Sequence, residues 1–579
     1  PGEPRTHPWY DDSQSMLLGL AAKWSETRTV LVILGSMLAL QIYGAWRTGI
    51  TIDEPSHLLS AYLYWRGADR LPPADVPPLM KIVSGWAPNL FPLPLPADLG
   101  HEGDTRHEWH ASAAITAKLP ADTLRRIFFL ARLPMLLFPL LTAWLIWLWG
   151  KEIFSPATAA ALVFLFAFEP TALAHGSLLK NDLAATFGYL FFWYRVWLYW
   201  KQPSWKTAAW IGIATLVACM AKLSMLILLA LGPSVILLRR ITDMKSGFRV
   251  VAVSLVLALA IPYAGAIAAY QFEMQWVQES YIDILASHPK IPKSFATVAN
   301  LFRIIPVPSN LWRGTVSLLF ANTSPATVYM NGKAWPTGHP LYFLVALAVK
   351  MPVALQVLLG AGLALLVVRL FLGRLEVADW FWILPGFLYI FMASQSQLQL
   401  GVRLILPALP FGLLLAGVAV EWLRQGRRKY LLAGLLAMAA VESLRVFPHG
   451  IAFFNLWARG PSNGLRYLAD SNLDWGQGLR DLERYVKANN IRHFRLAYFG
   501  ADNPRNYFDA DLMETVPPPW SDAWVKGTQL AVKPGIYAVS ATLLPGHYFR
   551  PEYRRYFSAF WNRNPVAKVG YSIYVYRID

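Results

Sequence analysis

The run Thr51-Ile52-Asp53-Glu54-Pro55-Ser56-His57 comes directly after an apolar segment, Thr29 to Trp46. That segment is long enough to cross a hydrocarbon core of about 30 Å. Two adjacent carboxylates therefore stand where a membrane helix ends. A helix is expected to begin near Pro55, with Asp53 or Glu54 capping its first turn and His57 close by. One reading of the pair is an N-cap beside an exposed acid. Basic residues at the same membrane face favour a second reading, in which the acids do chemistry.

The composition agrees with a membrane setting: 55% of residues are hydrophobic and 15% charged, with a mean hydropathy of +0.36. The 25 Trp and 25 Tyr suit interfacial belts, where a ring with one polar atom is comfortable. Lys and Arg number 52 against 35 Asp and Glu, a formal charge of +17. In a soluble chain that excess would point to nucleic acid. Here a positive-inside bias and anionic headgroups account for it, no nucleic-acid-binding motif is present, and no nucleic-acid partner is expected. The single Cys219 excludes an intramolecular disulfide and reads as packing. No cleavable signal pattern is visible.

Working outward, residues 1–28 are polar and read as a cytoplasmic tail. Helix 1 is expected at 29–48, then a polar, Pro-rich loop at 49–122. Apolar segments follow at 123–149, 156–175, 182–200, 207–220, 223–238 and 250–270. A second long loop covers 271–340, and apolar segments resume at 341–368, 379–396, 402–422 and 430–448. Together these make about eleven crossings within a transmembrane domain spanning 29–449. From 450 to 579 the composition turns soluble, with an amphipathic helix at 479–489 and strands at 494–499, 535–540 and 567–576. The expected fold is a polytopic all-α membrane protein with a small C-terminal α/β domain.

Every second short loop is basic: Lys151; Lys201 and Lys206; Arg239, Arg240, Lys245 and Arg249; Arg369 and Arg374; Arg424, Arg427, Arg428 and Lys429. With those loops cytoplasmic, the N-terminus is inside, while both long loops and the C-terminal domain are outside. Membrane-embedded charges then gather at the outer face. They are Asp53 and Glu54; Arg125, Arg126 and Arg132; Asp182, after His175 and Lys180; Lys222; Lys350; and Arg403. Each is costly in a bilayer unless paired or solvated, and so is a functional candidate. Arg125 and Arg126 have a plainer account in snorkelling, and Lys222 in a turn. Cations beside carboxylates suit an anionic, lipid-attached substrate. Arg and Lys take a phosphate, and a carboxylate is the base a hydroxyl needs to become a nucleophile. A lipid phosphate leaves as a stable anion, so electrostatic stabilisation suffices and no general acid is required. Direct displacement inverts the anomeric centre.

At these residues the sequence resembles the GT-C superfamily of polyprenyl-phosphate-sugar-dependent glycosyltransferases. It is most similar to bacterial relatives of protein O-mannosyltransferases and aminoarabinose transferases (glycosyltransferase family 39 type). Six stretches carry the resemblance besides Asp53-Glu54: Val-Pro-Pro-Leu-Met-Lys at 76–81, Ala-Arg-Leu-Pro at 131–134, Ala-His-Gly-Ser-Leu-Leu-Lys-Asn-Asp at 174–182, Val-Lys-Met-Pro at 349–352, Leu-Gly-Val-Arg-Leu-Ile-Leu-Pro at 400–407 and Asp-Ser-Asn-Leu-Asp-Trp-Gly-Gln at 470–477. The last is the most specific and resembles a soluble-domain signature of one bacterial branch.

The resemblance implies Asp53 as catalytic base, with Glu54 supporting it or orienting the acceptor. It implies Lys81, Arg132, Lys222, Lys350 and Arg403 as ligands of the lipid phosphate, and Asp182 as a second acid lining the site with His57 and His175. It further implies an inverting glycosyltransferase of the bacterial inner membrane. Such an enzyme moves a hexosyl or pentosyl group from a polyprenyl-phosphate donor to an acceptor glycan, lipid or protein; the resemblance itself does not imply a protein acceptor, because the soluble domain does not resemble the β-trefoil domain of the eukaryotic protein mannosyltransferases. No cofactor is required, although Asp53, Glu54 and His57 could hold a divalent metal. Where relatives often carry Arg-His, this chain has Arg403-Leu404, a departure that bears on phosphate or acceptor recognition.

Asp470, Asn472 and Asp474 offer an acceptor or cation site, or else a turn and helix cap. His101, His107 and His110 could ligate zinc or another divalent ion, or belong to a solvated loop. The competing functional classes are a transporter or flippase of an anionic lipid, and a non-catalytic assembly subunit with the same fold.

Overall fold

The computed structural model describes residues 9–68, 76–95, 105–242, 247–277, 303–519, 525 and 527–579, with 282, 287, 297 and 300. For 9–25 and 105–111 it describes the backbone alone. The chain is a multi-pass α-helical membrane protein with a C-terminal α/β domain. Among the described residues seven helices are long and apolar enough to cross a membrane, or eight if a bent pair counts as one span. The expected eleven segments are helical, but not all pass that test. Trp205–Ala221 has 17 residues and Lys429–Leu444 has 16. The aromatic-rich Asp182–Lys201 also falls outside the set.

The first helix starts earlier than expected, at Trp9, and runs 39 residues to Arg47. After Pro8 no proline interrupts it, so the polar tail continues the helix that the apolar stretch requires. The segment expected at 341–368 is instead broken into Tyr342–Lys350 and Val353–Phe371. Pro352 removes an amide and disfavours helical geometry at Met351, which is extended at φ −80°, ψ 136°. A similar break separates Pro156–Ala167 from Pro170–Gly176, bent by 61°. There the Glu169 carboxylate accepts a hydrogen bond from the Ala172 amide at 2.6 Å and caps the second piece.

Two close approaches set the site. Gly188 lies so near Ala218 that an added Cβ would sit 2.6 Å from its Cα, which brings Asp182–Lys201 and Trp205–Ala221 together and sets Lys222 beside Asp182. Gly401 has φ +139°, and its missing side chain leaves room for the Ser471 hydroxyl just ahead of Arg403.

Two small antiparallel ribbons precede the C-terminal domain: β1 (Met274–Gln275) with β2 (Val307–Pro308), and β3 (Val328–Met330) with β4 (Lys333–Trp335). The domain itself holds a five-stranded mixed sheet of β5 (Phe494–Ala497), β6 (Met513–Thr515), β7 (Gly535–Ser540), β8 (Ala567–Val569) and β9 (Ile573–Ile578), in the order β6-β5-β7-β9-β8. β5 is parallel to β6 and β7, while β9 is antiparallel to β7 and β8. Helix Leu479–Ala488 covers one face through Leu482 and Val486 against Phe494, Leu496 and Val575. The opposite face, with Tyr537, Val539, Tyr574 and Tyr576, belongs to a core that also contains Leu178, Tyr342, Phe343, Val402 and Ile405 from the membrane part. One hydrophobic cluster thus bridges both parts, and alternation along each strand sends the two residue sets to opposite faces.

Candidate active site

The end of the first helix, helix Glu54–Tyr64, the turn 177–182, Lys222, the short helix holding Arg403 and the run 470–477 all meet in one place. Asp53 and Glu54, adjacent in sequence, face different partners there.

Glu54 is sealed in. Its Oε1 accepts from Arg132 Nε at 2.7 Å and from the Leu179 amide at 2.9 Å. Its Oε2 accepts from Arg132 Nη2 at 2.6 Å and from the Thr51 amide and hydroxyl at 2.9 and 3.0 Å. Glu54 therefore reaches back over the helix start, whereas Asp53 precedes the helix without a side-chain capping bond. Arg132 spends its remaining N–H groups on carbonyls at and just past the end of the first helix: Nη1 donates to Ala45 and Thr48 at 2.8 and 2.9 Å, and Nη2 to Gly49 at 2.9 Å. All five donors are engaged and the side chain is 2% exposed, so Arg132, expected on the lipid phosphate, here spends every N–H group on protein acceptors. Arg132 fastens a helix end to Glu54.

Asp53 is held more loosely, with 22% of its side chain exposed. Its Oδ2 accepts from Lys180 Nζ at 2.7 Å and lies 3.7 Å from Arg403 Nη2. Burial works to raise its pKa, but the charges of Lys180 and Arg403 outweigh that and hold it at about 2. His57 Nδ1 lies 2.9 Å from the Leu179 carbonyl and Nε2 lies 3.2 Å from Lys180 Nζ. A proton on Nδ1 satisfies both contacts, since the ammonium needs a lone pair to donate to. Burial and the Lys180 charge push the His57 pKa down to about 4, which keeps the ring neutral.

A second pair lies alongside. Lys222 Nζ donates to Asp182 Oδ1 at 2.9 Å, and Arg403 Nη1 stands 3.6 Å from Asp182 Oδ2. Arg403 thus lies between the two acids at distances beyond a hydrogen bond. Among the described residues its one hydrogen bond is from Nε to the Ser471 hydroxyl at 3.1 Å. Its guanidinium lies over the Trp475 ring at 4.3 Å, with Lys180 Nζ 5.7 Å from the same ring. The His175 ring is also 5.7 Å from Trp475. Trp475, from the C-terminal part, is therefore a floor for the cations, and its carbonyl accepts from the Ile52 amide at 2.9 Å, next to Asp53.

Other expected site residues lie elsewhere or do other work. Lys350 Nζ donates to the Ile451 and Asn472 carbonyls at 2.8 and 2.6 Å and is buried. It joins the helix break at Pro352 to the C-terminal part, so the lysine expected on the phosphate is here held by backbone carbonyls. Asn472 donates to Tyr342 Oη at 2.8 Å and accepts from the Val402 amide at 3.0 Å. Asp474 accepts from the Thr542 and Gly476 amides at 3.1 and 3.2 Å. Both residues, expected to offer an acceptor or cation site or a turn and cap, are fully buried and tie 470–474 to neighbouring backbone. Asp470 accepts from the Ser471 amide, and burial raises its pKa to about 7 against the opposing charge of Arg403. Lys81 is buried on the short helix Pro78–Ser84. His101 and the side chains of His107 and His110 lie outside the described residues. Among the described residues no three His, Cys, Asp or Glu side chains are grouped to hold a metal ion. Trp475 is a partner that the sequence does not single out, and Lys180 stands there among the embedded charges without a role; both lie inside quoted motifs, at 470–477 and 174–182.

No protein-family model matches this chain, and no curated protein does. Among solved structures it is similar to ArnT from Cupriavidus metallidurans in the apo state, with a TM-score of 0.46 and 13% identity over 96% of this chain and 98% of that one. The structure of ArnT bound to undecaprenyl phosphate gives 0.42 and 14% over 94% and 97%. The oligosaccharyltransferase of Archaeoglobus fulgidus in the apo form gives 0.41 and 13% over 88% and 66%.

Proposed function

We propose that this protein is an inverting GT-C-type glycosyltransferase, with Asp53 as its base and a polyprenyl-phosphate sugar as its donor. The observation that supports this reading most is the cluster itself: a part-exposed carboxylate, Asp53, beside Lys180, Arg403, Lys222 and Asp182 at one end of a helical membrane bundle. Arg403, which hydrogen-bonds to neither acid, takes the phosphate together with Lys180 and Lys222. The acceptor hydroxyl oxygen attacks the anomeric carbon, its proton passes to Asp53, and the bond from that carbon to the phosphate oxygen breaks with both electrons leaving on the phosphate. Charge balances through the step. Three cations against two carboxylates leave one positive charge, which matches a singly charged donor. Afterwards Asp53 is protonated and the departing monophosphate carries two negative charges, so the total stays at zero.

In this reading the C-terminal domain and the site lie on the outer side of the cytoplasmic membrane, following the basic loops. The acceptor is a glycan, lipid or protein hydroxyl. Proteoliposomes supplied with labelled polyprenyl-phosphate sugars test it. Transfer is expected with the wild-type protein and not with Asp53→Asn, and full transfer by that variant would reject the base assignment. Movement of lipid across the bilayer without any product would instead favour a flippase.

A further inference from the structure

Lys180 is the one cation of the cluster shared between an acid and a neutral base. It is carried by a tight turn, 177–181, between two helices, the first capped at its far end by Glu169 and the second packed through Gly188 against Ala218. Its ammonium has three N–H groups. Among the described residues two of them are used, on Asp53 Oδ2 and His57 Nε2, and the side chain is 10% exposed. The His57 end of this arrangement is uncharged. Leu179, next in the chain, fixes both neighbours, since its carbonyl accepts from His57 and its amide donates to Glu54. The turn therefore stays anchored if Lys180 changes partner.

Resting on the proposed reading, we infer that Lys180 serves two anions in turn. In the empty site it pairs with Asp53. In the loaded site it pairs with the phosphate of a polyprenyl monophosphate or its glycosyl ester, and donor binding thereby releases the Asp53 carboxylate to act as base. The physical need is plain. A carboxylate clasped by an ammonium at 2.7 Å is a poor proton acceptor. A phosphate arriving between Lys180, Arg403 and Lys222 draws the same positive charge to itself. Arg403, 3.7 Å from Asp53 and 3.6 Å from Asp182, loses no hydrogen bond to either acid when it turns to a phosphate. Lys180 has to give one up. The other titratable groups that act on the Asp53 charge are His57 and Asp470, with the Asp182–Lys222 pair beyond Arg403, and none of them hydrogen-bonds to the Asp53 carboxylate. Donor and base are in this way coupled: an enzyme without lipid keeps its base muted and does not activate stray hydroxyls.

Binding of undecaprenyl monophosphate to full-length protein in lipid nanodiscs tests the coupling. With Asp53→Asn, Lys180 has no competing partner, and affinity should rise about tenfold, the size of coupling expected between contacting charges. Lys180→Gln should weaken binding about tenfold, and in the double variant the gain from Asp53→Asn should fall below about twofold. In a Lys222→Gln background that gain should persist. An undiminished gain without Lys180 overturns the inference while leaving the donor reading intact. Wild-type protein that binds no lipid phosphate removes the donor reading, and this inference with it. A second measurement needs no folding of a Lys180 variant. Infrared difference spectra of the wild-type protein on adding the lipid should show a carboxylate band shift that is absent in Asp53→Asn, and an unmoved band also overturns it.

Discussion

Glu54 and Asp53 are consecutive residues, and each faces an arginine, yet the two pairs differ in kind. On the Glu54 side everything is committed: five Arg132 donors meet five acceptor contacts within 2.9 Å, and nothing is exposed beyond 2%. On the Asp53 side the arginine stands off at 3.7 Å and the carboxylate is 22% exposed. A saturated pair holds elements in place, whereas an unsaturated one can take a ligand without first breaking itself. Under the proposed function the contrast gives architecture to one acid and chemistry to its neighbour, and it can be attacked experimentally from both ends.

The largest expected effect is on turnover. Asp53→Asn should cut sugar transfer by about 10²–10⁴-fold, the usual loss for a missing general base, with little change in thermal stability. Glu54→Gln should do the reverse, lowering the melting temperature in detergent. Next in size, Arg132→Met leaves the buried Glu54 carboxylate without its counter-charge and should cost about 3–5 kcal/mol, with part of that regained in Arg132→Met/Glu54→Gln. Equal melting curves for wild type and Arg132→Met would erase the distinction between the two pairs.

A smaller effect concerns pH. His57 is held neutral in the folded protein down to about 4, below its ordinary value of 6.5. Between those values the unfolded chain binds more protons, so His57's contribution is full above pH 6.5 and fades as pH falls towards 4. Melting temperatures across that range should fall by a few degrees more for wild type than for His57→Gln; comparing the two cancels the opposite trend from Asp470 and Asp474, whose pKa values burial lifts to about 7. The smallest effect is expected at Trp475. Replacing it with Leu removes a ring under Arg403 worth about 0.5–2 kcal/mol and should weaken lipid-phosphate binding by a comparable factor without unfolding the domain.

Much of this arrangement is legible in the sequence. An acidic pair after a membrane-length apolar run marks a candidate site, because a bilayer makes charge there expensive. Hydrophobic length and composition give the polytopic bundle, and the soluble turn at about 450 gives the α/β domain. Which acid stays open is not legible. That depends on Arg132, 78 positions from Glu54, and on Lys180, 127 positions from Asp53. Lys350 shows the same gap from the other side. A lysine deep in an apolar segment reads as functional, but Pro352 breaks the helix there and backbone carbonyls from 451 and 472 absorb its charge. Pattern along a chain reports what is costly, while the partner that repays the cost comes from the fold.

The continuous core beneath the sheet carries a lesson for anyone who would divide this chain. Tyr537 and Tyr576 share their packing with Phe343 and Val402, and Trp475 underlies the cations. A truncation before residue 450 would strip the bundle's end to bare hydrocarbon and leave Arg403 without its platform. Grafting a foreign ectodomain would do the same. Any homologous exchange between such proteins has to carry both halves together, with the seam itself as the unit of inheritance.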